Sequence, residues 1–94
     1  LLKVTLLANL ARLSLYRLLD QAKASNPNAE DFKIDHCILG HVLSAGCGQA
    51  PATQALKQAA LPTDIPAFTV NKVCASGMKA LTLGAALIRS GECN

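Results

Sequence analysis

The stretch of sequence that decides the fold is Val70-Asn71-Lys72-Val73-Cys74-Ala75-Ser76-Gly77-Met78-Lys79-Ala80-Leu81. The β-branched residues before Cys74 predict a strand over 67–73, and the residues after it predict a helix over 78–89. Cys74 then lies in a strand-to-helix turn made of small residues, which let a ligand approach the sulfur, and the helix N-terminus favours the thiolate. This pattern predicts a reactive cysteine, and the alternative is a buried structural cysteine.

The helix after Cys74 carries a second clue. Between Met78 and Ile88 only Lys79 and Thr82 are polar, so apolar residues cover nearly the whole circumference. Such a helix is typical of one that is buried on all sides, which 94 residues cannot easily achieve. We therefore expect further chain, or a partner subunit, to cover it. Gly91 is predicted to cap its C-terminus.

The preceding residues complete an alternation of helices and strands. The pattern predicts a helix over 5–24, a loop over 25–28, a strand over 34–39, a loop over 40–51 and a helix over 52–60. Leu6, Leu10 and Leu13 indicate that the first helix is covered on more than one face. Its main apolar stripe consists of Leu7, Ala8, Ala11, Leu15, Leu18, Leu19 and Ala22.

Composition narrows the class of protein. The 94 residues are 51% hydrophobic and 16% charged, which fits one ordered domain or part of one. The net charge is +3 and the basic residues are scattered along the chain, so the sequence does not indicate nucleic-acid binding.

Arg12 and Arg17 interrupt the first apolar segment, so no membrane span is expected. The same segment, 1–19, has the basic character of a mitochondrial targeting sequence, although an ordinary core helix is favoured. Both ends of the chain look cut.

The four cysteines form no CxxC pair. A disulfide framework is not expected, because the sequence shows no secretory signal. His36, Cys37, His41 and Cys47 invite a zinc-site hypothesis, but their spacing matches no familiar zinc motif, so we expect no metal. Cys37 is expected in the core, Cys47 is expected to fill space in the loop, and His41 is expected to be a loop residue near the site.

The stretch around Cys74 resembles the acyl-enzyme signature of the thiolases. Its residues are more similar to those of acetoacetyl-CoA thiolases (acetyl-CoA C-acetyltransferases) than to those of long-chain 3-ketoacyl-CoA thiolases. A second block, residues 40–51, is similar to the family's loop upstream of the nucleophile. The resemblance implies an α/β fold. Residues 1–94 would be part of a thiolase N-terminal domain, a layered α-β-α structure that is incomplete here. The chain departs from the family at Thr53, where an arginine is usual, and at its start, where the family's opening strand is not recognisable.

The resemblance also implies an activity. Cys74 would be the catalytic nucleophile that takes an acyl group from acetyl-CoA or acetoacetyl-CoA, and its backbone N–H is a candidate oxyanion donor. In thiolases, later segments supply a histidine, a second cysteine and most of the coenzyme A pocket. Residues 1–94 alone are therefore expected to be inactive, and no coenzyme A-binding residue is assigned. No permanently bound cofactor is expected. The complete enzyme is expected to be a homo-oligomer, a dimer or tetramer, in mitochondria or alternatively in the cytoplasm.

Some neighbours of Cys74 receive supporting roles. Ser76 is expected to cap the helix. The resemblance implies that Gln49 lies near a subunit contact, because its loop is close to the dimer contact in thiolases. Lys72 and Lys79 flank Cys74 and could favour its thiolate, but a solvated or interface lysine is the preferred interpretation. Lys72 is also expected to share a strand face with Cys74. Two other functions stay open: a ketoacyl-synthase relative, and a non-catalytic truncated thiolase-like chain that binds a full-length subunit.

Overall fold

The computed structural model describes residues 2–27 and 33–93, with the side chains of the first helix described from residue 11 onwards. Three helices and two strands follow one another as α1 (Leu2–Ser25), β1 (Cys37–Gly40), α2 (Pro51–Gln58), β2 (Ala67–Val70) and α3 (Ser76–Ser90). The expected α/β class is confirmed. Asn28 of the predicted first loop, and the apolar side chains predicted before residue 11, lie outside the described part.

The two strands form a parallel pair in which Cys37 lies opposite Ala67 and Gly40 lies opposite Val70. Parallel neighbours need a crossover connection, and here α2 provides it. β2 is shorter than the predicted 67–73, because Val73 adopts a positive φ of 49° that an extended strand cannot contain. Both strands end at the same edge of the sheet, where the segments 41–50 and 71–75 begin.

The core is centred on α2. Its side chains at i, i+3, i+4 and i+7 spacing are nearly inaccessible to solvent, and these are Ala52, Ala55, Leu56 and Ala59. This face lets α2 contact both strands and α1. The α1 contact includes a hydrogen bond of 2.9 Å from the Tyr16 hydroxyl to the Ala59 carbonyl oxygen. On α1 itself, Leu13 and Leu18 are exposed, so at these two positions the expected coverage is wrong.

Helix α3 packs against β1 and, to a smaller extent, β2. As expected for an apolar helix that 94 residues cannot surround, α3 leaves Met78, Leu81 and Ile88 65%, 68% and 59% exposed within this chain. The predicted C-cap at Gly91 is confirmed: its φ is 80°, and its N–H donates to the Ile88 carbonyl oxygen at 3.1 Å. Over the described residues, no helix combines the length and apolarity that crossing a bilayer requires.

Candidate active site

Cys74 is solvent-exposed in the short turn that joins β2 to α3. The turn follows the carboxyl end of a parallel strand, which is the edge where open α/β sheets bind ligands. The prediction that Cys74 lies in a turn between a strand and a helix is therefore confirmed. Its position leaves the sulfur accessible to a reactant from solvent.

Val73, immediately before Cys74, gives this turn its shape. Its φ of 49° lies in the left-handed region, which costs a β-branched residue roughly 1–2 kcal/mol. Hydrogen bonds hold its peptide groups on both sides. The Val73 N–H donates to the Asn71 side-chain oxygen at 2.9 Å, and the Val73 carbonyl oxygen accepts from the Ser76 hydroxyl at 2.6 Å and the Ser76 N–H at 3.1 Å. Local hydrogen bonds thus offset the cost of the conformation.

Ser76 is 4% exposed and lies at the first position of α3. The expectation that it caps the helix is wrong, because Ala75 occupies the N-cap position and no side-chain cap is formed. Its hydroxyl instead accepts the Lys72 N–H at 2.8 Å and donates to Val73. Ser76 therefore closes the turn that precedes the helix.

Lys72 and Cys74 were expected to share one face of a strand, and this prediction is wrong. The strand ends at Val70, and the left-handed Val73 between the two residues breaks the period of two. Both side chains are exposed, so Lys72 is a solvated lysine in this structure.

Gly40 brings the sheet against the start of α3. A Cβ at this position would lie 2.8 Å from both the Gly77 nitrogen and the Ser76 carbonyl carbon, closer than side chains tolerate. Since both atoms belong to the backbone, neither can move without shifting the helix. In contrast, a Cβ at Gly77 would meet nothing within 4 Å, so space is open beside the first turn of α3.

The loop 41–50 is fixed next to the Cys74 turn. The His41 N–H donates to the Val70 carbonyl oxygen at 3.0 Å, and the Asn71 amide nitrogen reaches the Val42 carbonyl oxygen at 3.4 Å. From α2, the Gln54 amide nitrogen donates to the carbonyl oxygens of Cys47 and Gln49 at 2.8 and 2.7 Å. His41 is thus a half-buried loop residue beside the turn, as the sequence predicted.

The other three cysteines have surroundings unlike those of Cys74. Cys37 and Cys47 are buried and free, which confirms their predicted places in the core and the loop. Burial raises the pKa of the Cys37 thiol. Desolvation also raises the pKa of Cys93, with a further contribution from the carboxylates of Asp35 and Glu92. At neutral pH these shifts favour the less nucleophilic thiol form of both residues.

In the part of the chain that the structure describes, no three His, Cys, Asp or Glu side chains lie together in a way that suits a metal ion. The predicted site therefore reduces to Cys74 and the residues that shape its turn. Sequence reasoning did not single out Gly40 or Asn71. Gly40 could have been found as a glycine at the end of an apolar strand, where close backbone approach is common. Asn71 could have been found as an asparagine in a turn, where its side chain often accepts the N–H two residues later.

Comparison with known proteins adds to this geometry. The thiolase N-terminal domain pattern matches residues 2–94. The acetyl-CoA acetyltransferase of Pseudomonas aeruginosa is 58% identical over 60 residues, and those of Cupriavidus necator and Allochromatium vinosum are 50% and 52% identical over 60 residues. Each alignment covers 64% of this chain and 15% of the relative, so the chain spans a small part of their length. Because the domain pattern extends over nearly all of the sequence, the chain belongs to the thiolase N-terminal domain family.

Proposed function

We propose that this chain carries the nucleophile of an acetyl-CoA C-acetyltransferase, a thiolase that forms or cleaves acetoacetyl-CoA through an acyl group on Cys74. The observation that carries the proposal is the exposed Cys74 in a fixed turn at the carboxyl edge of the sheet. The names of the Pseudomonas and Cupriavidus relatives support the choice of reaction. Membership of the thiolase family favours a coenzyme A thioester over the acyl-carrier-protein thioester of a ketoacyl synthase.

The first chemical step is an exchange of one thioester for another. The Cys74 sulfur attacks the thioester carbonyl carbon and forms a new S–C bond, and the bond from that carbon to the sulfur of coenzyme A breaks. The coenzyme A thiolate that leaves takes up the proton that the Cys74 thiol has lost. No electron transfer is needed, and the exchange is nearly balanced in energy because a thioester is present on both sides.

The full reaction requires more than this step. By resemblance, a histidine activates the thiol and a second cysteine moves the α-proton of acetyl-CoA, and neither is matched to a residue of this chain. We therefore expect residues 1–94 alone to acquire an acetyl group on Cys74 slowly and not to turn over acetoacetyl-CoA. Thiolysis at a rate comparable to that of a complete thiolase would contradict this expectation.

The half-reaction can be tested directly. The chain is incubated with excess acetyl-CoA, quenched in acid and mapped by peptide mass spectrometry. We expect one acetyl group on Cys74 and none in the Cys74→Ser variant, while Cys93→Ser, a matched control, is acetylated like the wild type. Equal acetylation of Cys93 and Cys74, or no acetylation at all, would overturn the proposal.

A second candidate function is a non-catalytic chain that pairs with a full-length thiolase subunit. The exposed Met78, Leu81 and Ile88 on α3 favour it, because exposed large apolar side chains on one helix are typical of a surface that binds another protein. Size-exclusion chromatography with a complete thiolase tests it: co-elution of the Cys74→Ser variant would support pairing without chemistry, and separate elution would exclude it. The homo-oligomeric state and the mitochondrial location stay predictions.

A further inference from the structure

The Asn71 side chain makes two contacts, one to the residue before Cys74 and one to the loop 41–50. Its side-chain oxygen accepts the Val73 N–H at 2.9 Å, and its amide nitrogen reaches the Val42 carbonyl oxygen at 3.4 Å. The first contact fixes the turn, and the second, longer one links the turn to the loop 41–50. Asn71 is itself exposed, so it is not a core residue whose loss would leave a cavity.

The conformation that Asn71 supports is one that valine rarely adopts. Val73 has a φ of 49° and is 65% exposed, so packing contributes little to holding it there. Its carbonyl side is secured by Ser76, which lies in the helix, whereas the side-chain bond to its N–H comes from Asn71 alone among the described contacts. Without that bond, extended conformations of Val73 become competitive, and the backbone direction at Cys74 changes with them.

We propose that Asn71 is a positioning residue for Cys74, which holds Val73 in the left-handed conformation and thereby fixes the direction in which the sulfur meets a thioester. This inference rests on the proposed function of Cys74 and adds a role that does not require Asn71 to touch the substrate. Because acyl transfer needs the sulfur in a defined attack geometry, a displacement of about 1 Å is enough to slow it strongly. Alkylation by iodoacetamide depends mainly on exposure and thiolate content and tolerates such a displacement.

Two rates measured at Cys74 test the role: acetyl transfer from a small acetyl thioester, and alkylation by iodoacetamide. For Asn71→Ala we expect acetyl transfer to fall about tenfold or more while alkylation stays within about twofold. Asn71→Ser keeps an oxygen that accepts the same N–H more weakly, so an intermediate rate is expected. The matched control is Asn26→Ala, an exposed asparagine that bonds to the end of α1, far along the chain from Cys74, and should leave both rates unchanged.

A double variant separates positioning from substrate contact. Glycine adopts positive φ without the steric cost of valine, so adding Val73→Gly to Asn71→Ala should restore most of the lost acetyl transfer. A double variant as slow as Asn71→Ala, or an Asn71→Ala variant as fast as the wild type, would overturn the inference. So would an equal fall of both rates in Asn71→Ala, since that is what general loss of structure produces.

Hydrogen exchange of the Val73 amide tests the role of Asn71 without relying on acetylation of Cys74. In Asn71→Ala this amide should exchange at least about tenfold faster than in the wild type, with Asn71→Ser between them. If the wild type takes up no acetyl group, the proposed function fails and the exchange rate alone decides the role of Asn71. An unchanged exchange rate in Asn71→Ala would reject the positioning role even if Cys74 is acetylated.

Discussion

At the scale of single residues, Gly40 sets the distance between the sheet and the helix that follows Cys74. An added methyl group would lie 2.8 Å from backbone atoms of Ser76 and Gly77, so Gly40→Ala must push the start of α3 away from β1. We expect it to lower the free energy of unfolding by about 1–3 kcal/mol, the usual cost of overpacking. Urea unfolding followed by circular dichroism measures this change.

Gly84→Ala is the matched control for that substitution. Gly84 lies inside α3, where an added Cβ would meet nothing within 4 Å, and alanine is the better helix former by about 1 kcal/mol. The two glycine-to-alanine changes should therefore have opposite signs. A stabilising or neutral Gly40→Ala would show that the contact between β1 and α3 is looser than the structure indicates.

At the scale of elements, the order of helices and strands could be predicted from the sequence, and the internal geometry of the turn around Cys74 could not. Hydrophobic periodicity predicted every one of the five elements, since it reports which residues face a core. The predicted end of β2 lies three residues too late, because Val73 is a strand former by propensity but adopts a left-handed conformation, in which it hydrogen-bonds with Asn71 and Ser76. Ser76 was misassigned for the same reason: its partners are backbone groups of a turn that periodicity does not describe.

One side chain of α2, Gln54, links that helix to the loop 41–50. Gln54 donates to two loop carbonyl oxygens, and Gln54→Glu would replace these donors with carboxylate oxygens that face the carbonyls. We expect a loss of about 1–3 kcal/mol in the free energy of unfolding, because the bonds are lost and the acceptors repel each other. Thermal and urea unfolding at neutral pH measure it.

Gln58→Glu, on the exposed surface of the same helix, is the control. The helix dipole alone would give the opposite order, since it favours an acidic residue near the N-terminus of α2 over one near its C-terminus by about 0.3–1 kcal/mol. A larger loss at position 54 than at position 58 therefore reports the loop contacts and not the dipole. Equal losses would mean that the loop does not depend on Gln54.

At the scale of the whole molecule, the chain has a small core around α2 and an uncovered apolar surface on α3. Leu56 is 1% exposed, whereas Leu81 is 68% exposed. Leu56→Ala should lower the free energy of unfolding by about 2–5 kcal/mol through lost burial and the cavity left behind. Leu81→Ala should change it by no more than about 0.5 kcal/mol in dilute solution, as expected for a surface position.

The dependence of the Leu81→Ala effect on protein concentration shows whether copies of this chain cover α3 when they associate. If the α3 surface is covered when chains associate, association stabilises the folded wild type by mass action, and this gain is smaller in the variant. The difference between wild type and Leu81→Ala should then grow as concentration rises, while that for Leu56→Ala stays constant because its core lies within one chain. A Leu81→Ala difference that is large already at the lowest concentration would contradict the exposed position of this leucine. One that stays small at every concentration would mean that copies of this chain do not cover α3.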